Sequence, residues 1–124
     1  MIRLIVAGSR GFSNYALMKL YLDSYLKDKN KADLEIISGT ARGADTYGSI
    51  YAEDNGIKLV EMPAEWERLG RTAGYVRNEA MAKYAAGADG VLFAFWDRRS
   101  RGTKHMIDMA KEYNLEVHII EYGT

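Results

Sequence analysis

The chain predicts an α/β fold: a parallel five-stranded sheet in the order 3-2-1-4-5, held between helices on both faces as a three-layer sandwich. Three observations carry this expectation. Short apolar runs alternate with helix-like segments along the 124 residues, the pattern of successive βαβ units. The runs are apolar almost throughout, which suits strands covered on both faces. Right-handed crossovers then restrict the strand order and put a switch point between the first and fourth strands. In such sheets ligands bind at the carboxyl edge, at that switch.

Each element has its own signal. Residues 2–8 (IRLIVAG) predict the first strand. Residues 14–28 predict a helix with Leu17, Leu20, Tyr21, Leu22, Tyr25 and Leu26 on a broad face, and Ser13 or Asn14 suits its N-cap. Residues 34–38 (LEIIS) predict the second strand. Residues 43–55 predict the second helix, closed by Asn55-Gly56. Residues 57–62 (IKLVEM) predict the third strand, which Pro63 stops, and residues 64–71 read as irregular. Residues 72–86 predict the third helix, ending at Gly87. Residues 90–95 (GVLFAF) predict the fourth strand and 97–102 a charged loop. Residues 103–113 predict the fourth helix, with Met106, Ile107, Met109 and Ala110 apolar, and 116–121 (EVHIIE) the last strand.

Composition narrows the function classes. The length fits one domain over residues 1–124. The absence of cysteine excludes disulfides and thiolate metal sites, and it suits a reducing compartment, so the expected location is cytoplasmic. Lys+Arg and Asp+Glu are both 17. A non-specific nucleic-acid binder carries a basic excess, so nucleic acid is not the expected partner. The N-terminus lacks the apolar stretch of a signal peptide, and no run approaches the ~20 residues that span a bilayer. His105 and His118 have no partner at helical spacing, so no metal site is expected.

Chemistry gathers at the predicted strand ends. The first strand runs into Gly8-Ser9-Arg10-Gly11 and the second into Ser38-Gly39-Thr40-Ala41-Arg42-Gly43-Ala44-Asp45. The third runs into Met62-Pro63-Ala64-Glu65-Trp66, and the fourth into Asp97-Arg98-Arg99-Ser100-Arg101-Gly102-Thr103. Glycines let a backbone approach a phosphate, helix N-termini offer free N–H groups, and arginine adds a bidentate fork. A small phosphorylated molecule fits this edge. A standard dinucleotide site does not: the G-x-G-x-x-G fingerprint is missing, and Ser38-Gly39 stands where an acidic residue would hold a ribose. The Walker-type G-x-x-x-x-G-K-[ST] is missing as well.

The stretches AGSRGF, SGTARGAD, EWERLGRTAGYVRNEAM and DRRSRGTKHMI, in this order, resemble the YspA-type (cpYpsA-related) branch of the SLOG superfamily over nearly the whole chain. The resemblance implies a Rossmann-like fold that binds nucleotides or nucleotide derivatives, without a resident cofactor. Relatives include the lonely-guy phosphoribohydrolases, ligand-sensing domains tied to cyclic ADP-ribose-like signals, and the DNA-processing DprA proteins. Carried over by position, Gly8, Ser9 and Arg10 match the first nucleotide-contacting loop, and Gly39, Ala41, Gly43 and Asp45 the second. Arg77 and Asn78 match the RN pair of the third helix. Ser100, Gly102 and Thr103, with the neighbouring Arg101, match the phosphate loop before the fourth. Lonely-guy enzymes carry P-G-G-x-G-T-x-x-E, whose glutamate takes part in hydrolysis. Here that position is Met106.

Several residues keep two readings. In the first loop, Gly8 and Gly11 would turn the backbone under a ligand, Ser9 would donate to it and Arg10 would neutralise phosphate. The alternative for Ser9-Arg10 is an ordinary turn followed by a helix start. Gly39 and Gly43 fit a phosphate or ribose contact, or close strand–helix packing alone. Asp45 fits either a ligand role or a first-turn carboxylate. Trp66 reads equally as a stacking ring or a cap on the core edge. Asn78, a poor helix former mid-helix, implies a specific hydrogen bond, in the site or structural. Arg98, Arg99 and Arg101 fit either a solvated loop or a phosphate contact. Met81, Met106 and Met109 read as core filler. Tyr21, Tyr25, Tyr47 and Tyr51 suit a homodimer surface or ordinary core and surface packing.

The expected function is binding of a phosphorylated nucleotide derivative, of the ADP-ribose, cyclic ADP-ribose or nucleoside monophosphate type, by a sensor or sequestering protein. Met106 favours binding over turnover. A nucleotide hydrolase acting on an N-glycosidic or phosphate bond is the first alternative, and a DNA-processing partner of DprA type the second.

Overall fold

The computed structural model describes residues 1–123. In chain order the elements are β1 Ile2–Gly8, α1 Tyr15–Leu26, β2 Leu34–Ser38, α2 Ala44–Asp54, β3 Lys58–Glu61 and α3 Trp66–Leu69. They continue as α4 Ala73–Ala86, β4 Asp89–Trp96, α5 Arg101–Glu112 and β5 Glu116–Glu121. Short 3-10 turns precede β2 at Lys31–Asp33 and α4 at Gly70–Thr72. All strand pairings are parallel, in the order β3-β2-β1-β4-β5. The sheet is the one the alternating pattern predicts.

Side-chain parity along the strands divides the core into two layers. Leu4, Val6, Ile36, Phe93 and Phe95 face one way and pack with Phe12, with Met18 and Leu22 of α1, and with Tyr51 and Ala52 of α2. Ile5, Ala7, Ile37, Leu92 and Ala94 face the other way, toward Met81, Ala82 and Ala85 of α4 and Met106, Ile107 and Ala110 of α5. The alanines on both sides of this second layer let α4 and α5 sit close to the strands.

The register opens the edge on one side. β1 stays paired with β4 from Ile2↔Asp89 to Gly8↔Phe95, but its pairing with β2 ends at Ile5↔Ile37. The start of α2 enters the resulting gap, with Ala44 fully buried. Gly8 is required by this closeness: a Cβ there would lie 2.7 Å from the Ala44 Cβ and collide with the Phe95 carbonyl. Among the described residues no helix is long and apolar enough to cross a membrane.

Several boundaries differ from the sequence reading. The stretch 64–71 is not irregular: Trp66–Leu69 forms one α-helical turn and Gly70–Thr72 a 3-10 turn. Their N–H groups are met locally, by carbonyls such as that of Glu65, a pattern with no apolar period to betray it. α5 begins at Arg101, not at 103, because the Ser100 Oγ accepts from the Thr103 N–H and serves as the cap. α1 stops at Leu26, and β3 keeps only four residues. Asn14 is the N-cap of α1, its side chain accepting from the Leu17 N–H.

Candidate functional site

The four loops at the carboxyl edge surround a two-lobed cleft. The first lobe, about 210 Å³, has a floor of Ala7, Met81 and Met106, each of which also belongs to the core. Ser100, Gly102 and Thr103 of the α5 N-terminus form one wall. The second lobe, about 230 Å³, lies over Gly39, Thr40, Ala41 and Arg42. Arg10, Ala41, Trp66 and Arg77 line both lobes and form the waist between them.

The loop after β1 is built on Ser9. Its N–H donates to the Phe95 carbonyl at 3.0 Å, its Oγ accepts from the Asp97 N–H at 3.0 Å, and its carbonyl accepts from Phe12 and Ala44. The side chain is 1% exposed and does not line the cleft. Ser9 therefore ties the loop to β4 and α2 from behind the cleft lining. This fixes the chain so that Arg10 is exposed at the cleft. Among the described residues its guanidinium makes no hydrogen bond or ion pair. Gly43 takes φ +77, and a Cβ there would lie 2.7 Å from the Arg10 carbonyl carbon. Gly43 thus serves the packing of α2 on this loop. Gly11 has neither a positive φ nor a neighbour within 4 Å of a Cβ, so the turn does not depend on it.

The loop after β2 folds back on itself. The Ser38 Oγ donates to the Asp45 carbonyl and accepts from the Thr40 N–H, and the Ala41 N–H donates to Asp45 Oδ2 at 3.2 Å. Thr40 is held at φ 65, a costly conformation for a β-branched residue. The Asp45 side chain is brought into the first lobe, where it is 4% exposed. Burial pushes its carboxyl up to about 6, against the pull of Arg77, the Ala41 N–H and Arg10.

Arg77 and Asn78 couple α4 to both neighbouring loops. Arg77 Nη1 donates to the Gly39 carbonyl at 2.5 Å, and its Nε donates to Asn78 Oδ1 at 3.0 Å. Burial lowers the Arg77 pKa, and the Asp45 charge opposes this; a guanidinium remains a cation. Asn78 Nδ2 donates to the Gly102 carbonyl at 3.3 Å and lies 3.1 Å from His105 Nδ1. The specific hydrogen bond that a mid-helix asparagine implies is thus a bridge from α4 to α5, and it also aims Arg77.

The loop after β4 presents the α5 N-terminus. Asp97 Oδ1 accepts from the Arg99 and Ser100 N–H groups at 2.8 and 2.9 Å, and these bonds hold its carboxyl below the usual carboxylate range. Trp96 Nε1 donates to the Ser100 carbonyl. Thr103 Oγ1 donates to Ser100 Oγ at 3.0 Å. Trp66, 51% exposed, stands against Gly74, where a Cβ would meet the indole at 3.4 Å. It therefore flanks the cleft as a partly free ring, not as a core cap.

This arrangement joins residues from four loops at one switch point, and its sequence matches a known profile: the YspA, cpYpsA-related SLOG family, over residues 2–69. The chain belongs to this family. The Gene 61 protein of Mycobacterium phage D29 is 32% identical over 128 residues, covering 99% of this chain and 98% of that protein. The fold resembles DNA processing protein A (DprA) from Streptococcus pneumoniae, with a TM-score of 0.72 at 21% identity. The match covers 98% of this SLOG chain but spans only 50% of the DprA chain. The Rossmann-like architecture is shared; that level of identity speaks to fold alone.

Of the residues expected in the SLOG site, Gly8, Arg10, Ala41, Asp45, Trp66, Arg77, Asn78, Ser100, Gly102 and Thr103 line the first lobe, and Gly39 the second. Ser9 and Gly43 support the site from behind. Arg101 is exposed and lines neither lobe, since the first residue of α5 points its side chain elsewhere. Arg98 pairs with Glu121 at 3.7 Å. The cleft's cations are instead Arg10, Arg42, Arg71 and Arg77. Sequence reading named Arg42 only as part of its loop, and passed over Arg71, Tyr75 and the floor role of the methionines. One signal was present: Arg71, Gly74, Tyr75 and Asn78 follow i, i+3, i+4, i+7 spacing and share one face. No cluster of three His, Cys, Asp or Glu side chains able to hold a metal occurs among the described residues.

Proposed function

We propose that this SLOG protein binds a small phosphorylated nucleotide derivative in the two-lobed cleft, and acts in the cytoplasm as a sensor or sequestering protein. One observation carries the reading. In a chain with 17 cationic and 17 anionic side chains, the cleft gathers four arginines and the α5 N-terminus against the single carboxylate of Asp45. Such a pocket favours an anion. Its floor of Met81 and Met106, with Trp66 and Tyr75 beside it, offers apolar and aromatic surface for a base. Met106 occupies the position of the glutamate in the hydrolases this sequence resembles, which supports binding without turnover.

Two other readings have their own support. A carboxyl poised at about 6 suits proton transfer near neutral pH, so Asp45 supports a nucleotide hydrolase. The DprA likeness supports contact with DNA, and the balanced charge weighs against it.

The test is a thermal-shift panel of AMP, ADP, ATP, ADP-ribose, NAD, cyclic ADP-ribose isomers, phosphate and single-stranded DNA, with chromatography of each hit. A ligand at 100 times its Kd adds about 2.7 kcal/mol, or roughly 10 °C in a domain of this size. A shift with the nucleotide recovered intact is expected. Cleavage would make the protein an enzyme, strongly salt-dependent binding to DNA would favour the DprA-type reading, and no shift would remove the ligand class. Gly102→Val locates the site. A Cβ at Gly102 meets no protein atom within 4 Å, so the fold tolerates it, while the added bulk obstructs the helix N-terminus. Melting temperature should hold within a few degrees and nucleotide affinity should fall at least about tenfold. Unchanged affinity would place the ligand elsewhere.

A further inference from the structure

Asp45 is the one carboxylate in a cleft whose other charged side chains are all arginines. The loop between β2 and α2 explains only half of it. Oδ2 accepts from the Ala41 N–H. The Gly39 N–H also pulls on the carboxyl, from beside Oδ2; Oδ1 itself makes no hydrogen bond among the described residues, yet it is not one of the fully enclosed, unsatisfied polar atoms. Because Asp45 lines the first lobe, this oxygen is the one left toward the cleft. A side chain 4% exposed with an acceptor aimed into the cavity calls for a donor from the ligand. Phosphate has none to give when ionised, and repels a carboxylate. Hydroxyl groups are the donors that stand nearest to the phosphate in a nucleotide.

We propose that Asp45 reads a ribose hydroxyl, and that the first lobe selects ribonucleotide derivatives over their deoxy forms. The inference rests on the phosphorylated-nucleotide reading and gives it a sugar. The geometry separates the two jobs: Arg10 and Arg77 sit at the waist shared by both lobes, while Asp45 lines only the first. The acidic residue that a ribose site requires is absent from the end of β2 but is supplied seven residues later. The Ser38 Oγ bond to the Asp45 carbonyl brings it back to the strand end. Rejection of the deoxy analogue follows from leaving a buried, charged acceptor without its donor.

The experiment measures dissociation constants for AMP, ADP-ribose and ribose 5-phosphate, each against its 2′-deoxy and 3′-deoxy counterparts, on wild type and Asp45→Asn. IMP is included against AMP. Wild type should bind at least one ribo form about tenfold to a hundredfold more tightly than a deoxy form. Asp45→Asn should bring that ratio below about threefold while still binding the deoxy compound. Its melting temperature, at or above wild type, shows that it is folded. Equal affinity of wild type for ribo and deoxy forms overturns the inference and leaves the phosphorylated-nucleotide reading standing. So does a preference for AMP over IMP that Asp45→Asn alone removes, since the donor would then be a base amino group. Binding of none of these compounds overturns both.

Discussion

At the scale of single residues, Asp45 shows how the site acts against the fold. Its carboxyl has an ordinary value of 3.8 and is pushed up to about 6, chiefly by burial. Between those values the folded protein holds the proton more tightly than the unfolded chain does. Stability therefore falls as pH rises through that window. By pH 7.5 the ionised carboxyl costs on the order of 3 kcal/mol. Asp45→Asn keeps an acceptor for the Ala41 N–H and removes the charge. It should raise the melting temperature at pH 7.5, with the gain vanishing by about pH 4. Thermal melts of both proteins across that range check this; equal stability at pH 7.5 would mean that the buried charge is not costly. Thr40 at φ 65 and Arg98 at φ 70 add backbone strain beside the same cleft. Sequence placed Asp45 among the site residues but could not give its burial. That depends on Ser38 and Ala41, which bond it from the preceding loop.

At the scale of elements, the α4–α5 pair is held at its upper end by Asn78. This side chain is buried, accepts from Arg77 Nε, and reaches the Gly102 carbonyl and His105 Nδ1. Tyr75 stacks edge-on against His105 at 4.4 Å between ring centres. Asn78→Ala gains helix propensity of about 0.5 kcal/mol but strands these partners, at about 1–3 kcal/mol. A net loss of roughly 1–2 kcal/mol is expected, or about 4–8 °C in melting temperature. Nucleotide affinity should fall with it, because Arg77 loses its positioning bond. A variant as stable as wild type would show that α4 and α5 do not rely on this bridge. The sequence signalled it through a poor helix former in mid-helix. It could not tell which helix the amide would reach, since Gly102 lies 24 residues away.

At the scale of the whole molecule, the decisive quantity is where charge lies, not how much there is. The formal charge is zero, yet the cleft collects arginines from four different segments. Anionic ligands should therefore bind less tightly as ionic strength rises, since screening shortens the reach of those charges to about 8 Å at 0.15 M. Arg10→Ala should weaken phosphate-ligand affinity at least about fivefold and flatten the salt dependence. Arg101→Ala, outside the cleft, should do neither; calorimetric titrations at 0.05 and 0.3 M salt distinguish them. By itself the sequence determined the strand order, because apolar runs of strand length and chain chirality leave few topologies. It also determined that glycines, hydroxyls and arginines collect at the carboxyl edge, because strand ends are local features. Only the tertiary structure decided which of them line the cleft. Burial and hydrogen-bond partners are set by segments far apart in the chain. Ser9, Gly43 and Arg101 therefore left the cleft lining, Arg42, Arg71 and Tyr75 entered it, and Asp45 was turned inward with one oxygen still free.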